Sequence, residues 1–381
     1  MNALLSSTRQ LPCLCQALLA SLQRYLPGLL LCGLIATTSL SLGHIDWLAS
    51  HGVGTLTLAI VFGIALGNTL VQANASPNQT AASSTWAAST LSGANAHAGM
   101  VFAKQYLLKF GIVLYGFRLT AQDVAKVGAT GILIDALVLG STFALACWFG
   151  LRVLGMERRL VMLIGAGSSI CGAAAIMATG PVVKARSEQV TIAVSTVVAF
   201  GTLAIFLYPA FYAMLPSINF TQDSGFHFGV YIGSTLHEVA QVVATGQSIS
   251  PEIADAAVVA KMVRVMMLAP FLMGLSLWLA RGAERSDDSS TNKVTVPWFA
   301  FMFIGVILFN SLQLLSAEVV ALFNQLGTVC LAMAMAALGL TTQLSVIRKA
   351  GAKPLLLALV LFVWLILGGG LINWAVPVVL A

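Results

Sequence analysis

Pro354-Leu-Leu-Leu-Ala-Leu-Val-Leu-Phe-Val-Trp-Leu-Ile-Leu-Gly-Gly-Gly-Leu-Ile-Asn-Trp-Ala-Val-Pro-Val-Val-Leu-Ala381 contains no Asp, Glu, Lys or Arg. A helix crosses the hydrocarbon core of a bilayer in about 20 apolar residues, so this run can span one with some tilt. It is apolar all round, whereas a transmembrane β-strand alternates apolar and polar side chains. Working back along the chain, the same four residue types are missing from 25–45, 52–103, 160–183, 189–222, 294–317 and 319–347. Three further apolar stretches, near 99–117, 127–151 and 256–280, carry one to three charges, and a polar-marked one lies at 226–247. Dividing 52–103 into a helix near 53–70 and a following loop gives eleven candidate spans.

Composition points the same way. Of 381 residues, 59% are hydrophobic and 8% are charged, against roughly 25% charged in a soluble domain. So few charges cannot cover a water-facing surface of this size. The expected fold is an all-α polytopic membrane protein of ten or eleven transmembrane helices. Residues 1–24 read as a cytoplasmic lead-in and 25–381 as one transmembrane domain. The stretch at 71–97 is rich in Ala, Ser, Thr and Asn without any charge, and reads as a flexible or re-entrant loop.

With the N-terminus inside, the inner segments hold Arg9, Arg24, Arg152, Arg158, Arg159, Arg281, Arg285, Lys293, Arg348, Lys349 and Lys353, while the outer loops hold Arg118, Lys126, Lys184 and Arg186. Positive residues collect on the cytoplasmic side, so the expected topology is N-inside and C-outside. The net charge of +6 then reads as attraction to anionic lipid at the inner surface, with no nucleic-acid partner. Cys13, Cys15, Cys32, Cys147, Cys171 and Cys330 have no metal-site spacing, and no metal or cofactor is expected. Gly165-x-Gly167 lacks the Lys that follows in a phosphate-binding loop, which argues against nucleotide-driven transport.

A weak repeat is present. Leu119-Thr120-x-Gln122, Gly128-Ala129 and Ala136-Leu137-Val138-Leu139 recur as Leu340-Thr341-x-Gln343, Gly351-Ala352 and Ala358-Leu359-Val360-Leu361. The first copy turns outside and the second inside, so the copies would be inverted, as in many secondary transporters.

Two stretches carry the candidate chemistry. Within Ile164-Gly165-Ala166-Gly167-Ser168-Ser169-Ile170-Cys171-Gly172-Ala173-Ala174-Ala175, residues 165–172 include three glycines and two serines in mid-span. Each glycine costs a helix about 1 kcal/mol relative to alanine. Non-helical backbone is tolerated at membrane depth only where protein or a watery cavity satisfies it. The stretch therefore reads as an unwound crossing, or else as a close-packing point of small residues. If unwound, the helix resuming near Ala173 aims free N–H groups at a cavity, with Ser168 and Ser169 as added donors, a setting that suits an anion. The second stretch is Gly233-Ser234-Thr235-Leu236-His237-Glu238-Val239-Ala240-Gln241, where a helix would stack Gly233, His237 and Gln241 on one face. Ionisable groups within a span usually face an interior cavity.

Lys261 and Arg264, three residues apart, share a face of the following helix and could pair with Glu238, attract an anion or snorkel to the interface. The substrate-binding set expected is thus Gly165, Gly167, Ser168, Ser169, Cys171, Gly172, Gln241, Lys261 and Arg264. His237, Glu238 and Asp135 are the expected ion-coupling groups, and Lys104 or Lys109 is a possible partner for Asp135. Tyr115, Trp298 and Trp374 read as interfacial aromatic residues.

Together with Lys104-Gln105-Tyr106-Leu107-Leu108, Gly111–Leu119 and Ala334–Leu340, these motifs resemble the YeiH-type inner-membrane proteins, a family that carries the provisional name of sulfate exporter. The likeness covers about residues 27–375. It implies a bacterial inner-membrane protein of ten or eleven helices, akin to the bile-acid and sodium–proton antiporter folds, in which two broken helices cross near the midplane. The second broken element is left to the 233–246 helix or to a segment elsewhere. The expected function is secondary transport of a small anion, such as sulfate or a related sulfur oxyanion, by alternating access with proton or sodium coupling. An anion channel is the alternative, although filter-forming repeats are missing. A membrane-embedded enzyme using Cys171, His237 and Glu238 is a third class, and enzyme activity is not expected.

Overall fold

The computed structural model describes residues 24–43, 54–75, 94–214, 224–282, 298–342 and 350–380. The lead-in before Arg24, most of the 71–97 loop and Gln343 of the repeat lie outside the described residues. The described chain is helical. Its long apolar helices are α1 (Arg24–Leu42), α3 (Ala96–Arg118), α4 (Ala121–Val153), α7 (Ser187–Met214), α13 (Ala317–Thr341) and α14 (Ala352–Leu380). The paired helices α10 (Pro251–Met266) and α11 (Leu268–Gly282) form a seventh long apolar unit. Two further apolar helices are α2 (Thr55–Ala75) and the shorter α12 (Trp298–Ser311). Each of the eleven apolar stretches holds helix, and two of them hold a pair of half-length helices.

The first pair is α5 (Arg158–Ser169) and α6 (Ala173–Val182), broken at Ile170–Gly172. The second is α8 (Ser224–Thr235) and α9 (Val239–Gln247), broken at Leu236–Glu238. At about 1.5 Å per residue a twelve-residue helix reaches roughly 18 Å, half a bilayer. Each pair turns back on itself. Arg159 at the start of α5 donates to the carbonyl of Lys184 beyond the end of α6 (3.0 Å), and Glu157 pairs with Arg186 at 3.1 Å. In the second pair, Gly225 near the start of α8 sits against Ile253, while Gly246 near the end of α9 sits against Ala254. The break expected within 165–172 is there, at its C-terminal end, whereas 233–241, expected to stack as a helix, is broken at 236–238 as well; the chain turns back at both breaks instead of crossing.

The two hairpins enter from opposite faces, because α7 connects them across the membrane. Arg158 stacks on Trp278 at 4.5 Å and Gly150 packs near Leu357, which puts the ends of α4 and α11, the mouth of the α5–α6 hairpin and the start of α14 on one face. If that face is cytoplasmic, Lys184 and Arg186 move to the inner side, leaving Arg118 and Lys126 outside. The inner positive bias is thus stronger than the one read from eleven simple crossings.

The halves are inverted. Helix α3 packs antiparallel on α13, with Gly111 against Leu331 and Leu114 against Gly327, and α4 packs antiparallel on α14, with Ser141 against Trp364. Gly128 (φ +47°) and Gly351 (φ +89°), matched in the sequence repeat, both adopt the left-handed backbone that glycine tolerates. In the first half the order is α3, α4, hairpin, α7. In the second, the hairpin and α10 come first and α13–α14 follow, so the same parts appear in rotated order. Helices α2, α3, α12 and α13 form one bundle, which α1 joins through Gly28 against Ala96 and Gly43 against Thr55, and α4–α11 with α14 form the other, which holds both hairpin tips.

Candidate functional site

The hairpin tips meet in the interior, and they are copies of one another. Gly167-Ser168-Ser169-Ile170 closes α5 and Gly233-Ser234-Thr235-Leu236 closes α8. A half-length helix ending inside the membrane leaves carbonyls without intrahelical partners and a partial negative charge at its C-terminal end. Two such ends converge here. Lys261 of α10 donates to the equivalent carbonyls of Ile170 (2.8 Å) and Leu236 (2.5 Å). One turn on, Arg264 donates to the carbonyls of Ser169 (2.7 Å), Ser168 (3.2 Å) and Ser234. Both cations are completely buried.

The opposite polarity gathers at the other side of the tips, where α6 and α9 begin. Glu238 occupies the N-cap position of α9 and forms a reciprocal capping box with Gln241, whose side chain accepts from the Glu238 N–H at 3.1 Å. Its Oε1 also accepts from the N–H of Ala173, the first residue of α6, at 3.4 Å. One buried carboxylate therefore serves the positive ends of two half-helices. Gly172 makes the approach feasible: its φ is +67°, and a Cβ there would lie 2.5 Å from Glu238 Cγ.

Around the tips lie buried polar atoms without a protein partner: Ser168 Oγ, His237 Nδ1, Gln241 Nε2 and both carboxylate oxygens of Asp135. Asp135 is on α4, which packs against α10, and the charges that act on it are those of Arg264 and Lys261. Among the described residues no ion pair within 4 Å joins Asp135 to Lys104 or Lys109, the partners open from sequence.

The expected residues divide by place. Ser168, Ser169, Cys171, Gly172, His237, Glu238, Gln241, Lys261 and Arg264 converge at the tips. Gly165 and Gly167 do not face them: a Cβ at Gly165 would lie 2.9 Å from Ala146 of α4, and one at Gly167 would lie 2.7 Å from Ile176 of α6. These two glycines are close-packing points. Gly233, His237 and Gln241 do not share a helix face, because the break at 236–238 separates them. Each hydrogen bond recorded for Lys261 and Arg264 ends on a main-chain carbonyl, which differs from the substrate-facing role expected, because two C-terminal helix ends demand cations there first. Among the described residues the ion pairs within 4 Å are Lys126–Asp123 and Arg186–Glu157, and neither involves Glu238. Tyr115 is buried and donates to Asp255 at 2.8 Å, whereas Trp298 and Trp374 are exposed. Sequence reading missed the duplicated Gly-Ser-Ser/Thr-Ile/Leu tip, which was visible in both stretches.

The chain is similar to known proteins over most of its length. Residues 27–358 match the family profile described as conserved hypothetical protein 698. A UPF0324 membrane protein of Yersinia pestis is 53% identical over 370 residues, covering 97% of each chain. A UPF0324 membrane protein of Pseudomonas aeruginosa is 55% identical over 356 residues, covering 93% of this chain and 95% of the relative. The UPF0324 inner membrane protein YeiH of Escherichia coli K12 is 52% identical over 363 residues, covering 95% and 97%. No solved structure matches.

Proposed function

Since the chain belongs to the UPF0324 family of multi-pass inner-membrane proteins, we propose that it is a secondary transporter that carries a small anion, such as sulfate or a related sulfur oxyanion, outward by alternating access. The observation that carries this reading is the carboxylate of Glu238 seated at the N-terminal ends of α6 and α9. Half-helix N-termini at membrane depth are anion sites in transporters of inverted-repeat architecture. Glu238 holds that place as a tethered anion.

Coupling follows from charge. A substrate anion and an ionised Glu238 cannot both occupy one buried site without strong repulsion. Protonation of Glu238 removes its charge and leaves the N–H of Ala173 without an anionic partner, with Ser168 Oγ and Gln241 Nε2 as further donors nearby. The anion is thus bound with one proton. Movement of the tip-bearing bundle against the other, as in inverted-repeat transporters, then exposes the site to either face.

Proteoliposomes test the reading with radiolabelled sulfate and sulfite. Uptake should accelerate when the anion-facing side is made acidic, and counterflow should saturate. Glu238→Gln should retain counterflow while losing acceleration by the pH gradient. Gradient-driven uptake by Glu238→Gln equal to that of the parent would remove the carboxylate from the mechanism, and flux of neither anion in any gradient would remove the substrate class.

A further inference from the structure

Five main-chain carbonyls, from Ser168, Ser169, Ile170, Ser234 and Leu236, point at two positive side chains where the hairpins meet. Rings of backbone carbonyls are how membrane proteins hold unhydrated alkali cations, and in broken-helix transporters unwound carbonyls and half-helix C-termini hold the coupling ion. Here the ligands come from a duplicated motif. The Lys261 ammonium bridges Ile170 and Leu236, which occupy equivalent places in the two tips, at 2.8 and 2.5 Å. A compact point charge suits such a position better than the planar guanidinium, which instead forks across Ser168, Ser169 and Ser234.

We infer that the carbonyl cluster between the two hairpin tips is a monovalent-cation site permanently filled by the protein's own Lys261, with Arg264 beside it, so that the protein needs no free sodium and acquires an alkali-cation site when Lys261 is shortened. The electrostatic requirement is fixed by the fold: two negative helix ends brought together in low dielectric must be neutralised whatever the cargo. A side chain covalently attached to α10 meets it at every stage of any cycle. A diffusible ion would have to be rebound each time. The transporter reading is not needed for this inference, which concerns the resting protein.

The test is thermal unfolding of the purified full chain in detergent, in NaCl, KCl or choline chloride at one ionic strength. The parent should melt at the same temperature in all three. Lys261→Ser, which leaves the carbonyls of Ile170 and Leu236 unpaired, should melt lower in choline and recover by several degrees in Na+ or K+. Lys261→Arg, which keeps the charge, should show no preference among the salts. A specific upward shift of the parent in Na+ would overturn the inference, because the site would then be open to a free ion. So would a Lys261→Ser protein whose lowered melting temperature is the same in all three salts. Should Lys261→Ser be recoverable only from Na+ or K+ buffers, that dependence is itself the predicted result; should it be recoverable from none, the inference is overturned. None of these readouts depends on flux, so a transporter without sulfate activity would leave them unchanged.

Discussion

At Gly172 the chain reverses in the middle of the membrane with φ +67°, and the missing Cβ makes room for the Glu238 side chain. An alanine there meets two penalties, a left-handed backbone and a contact of 2.5 Å with Glu238 Cγ. Residues forced into such regions cost on the order of 1–3 kcal/mol. Gly172→Ala should therefore lower stability by about that amount, seen as a reduced melting temperature in detergent, and should displace the carboxylate from Ala173. Gly165→Ala is the informative contrast. Its Cβ would press on the side chains of Ala146 and Phe143 and leave the tip backbone alone. If it disturbs anion binding as strongly as Gly172→Ala, the special backbone at 172 is not what matters.

The two half-length hairpins decide the topology, and labelling can read it. Cysteines introduced as Glu157→Cys and Arg186→Cys, at the two ends of the α5–α6 hairpin, should react with an impermeant thiol reagent from the cytoplasmic side only. A Ser248→Cys at the mouth of the second hairpin should react from the opposite side. Labelling of positions 157 and 186 from opposite sides would mean that the segment crosses. The helical content, the break near Gly172 and the polar interior of 233–241 were all legible from sequence, because charge-free runs and clustered glycines have local causes. Re-entry was not. Two half-length helices in series match one span in length and hydropathy, as the charge-free run 160–183 does. One signal was available: Arg158 and Arg159 before the run and Lys184 and Arg186 after it place positive charge at both ends, which a single crossing would split between opposite faces. The carbonyl-bound role of Lys261 and Arg264 was out of reach for a different reason. It depends on two helix ends some 65 residues apart in the chain, Ser169 and Ser234, arriving at one point.

Among the described residues, the bundle of α1, α2, α3, α12 and α13 touches the tip-bearing bundle at few places, one of them between Gly54, just before α2, and Ser248, in the turn from α9 to α10. A Cβ on Gly54 would lie 3.5 Å from that of Ser248, within the range of about 3.5–4.5 Å that disulfides favour. Gly54→Cys combined with Ser248→Cys should oxidise readily and pin the bundles together on the outer face. Anion binding should persist in the oxidised protein while counterflow stops, and a reductant should restore it. Undiminished counterflow in the cross-linked protein would mean that the bundles do not move against each other at that contact.

The rotated order of parts in the second half has a consequence for synthesis. Ser234 in the second hairpin accepts from Asn373 of α14, 139 residues further along the chain, and Tyr231 reaches the carbonyl of Ile366 across 135. A ribosome adds about 5–20 residues per second, so the hairpin is made on the order of ten seconds before these partners exist. In the first half the flanking helix α4 is already made when its hairpin emerges. The nascent second hairpin therefore waits for α14 with its polar tip incompletely bonded, and the arrival of α14 is the event that completes these hydrogen bonds.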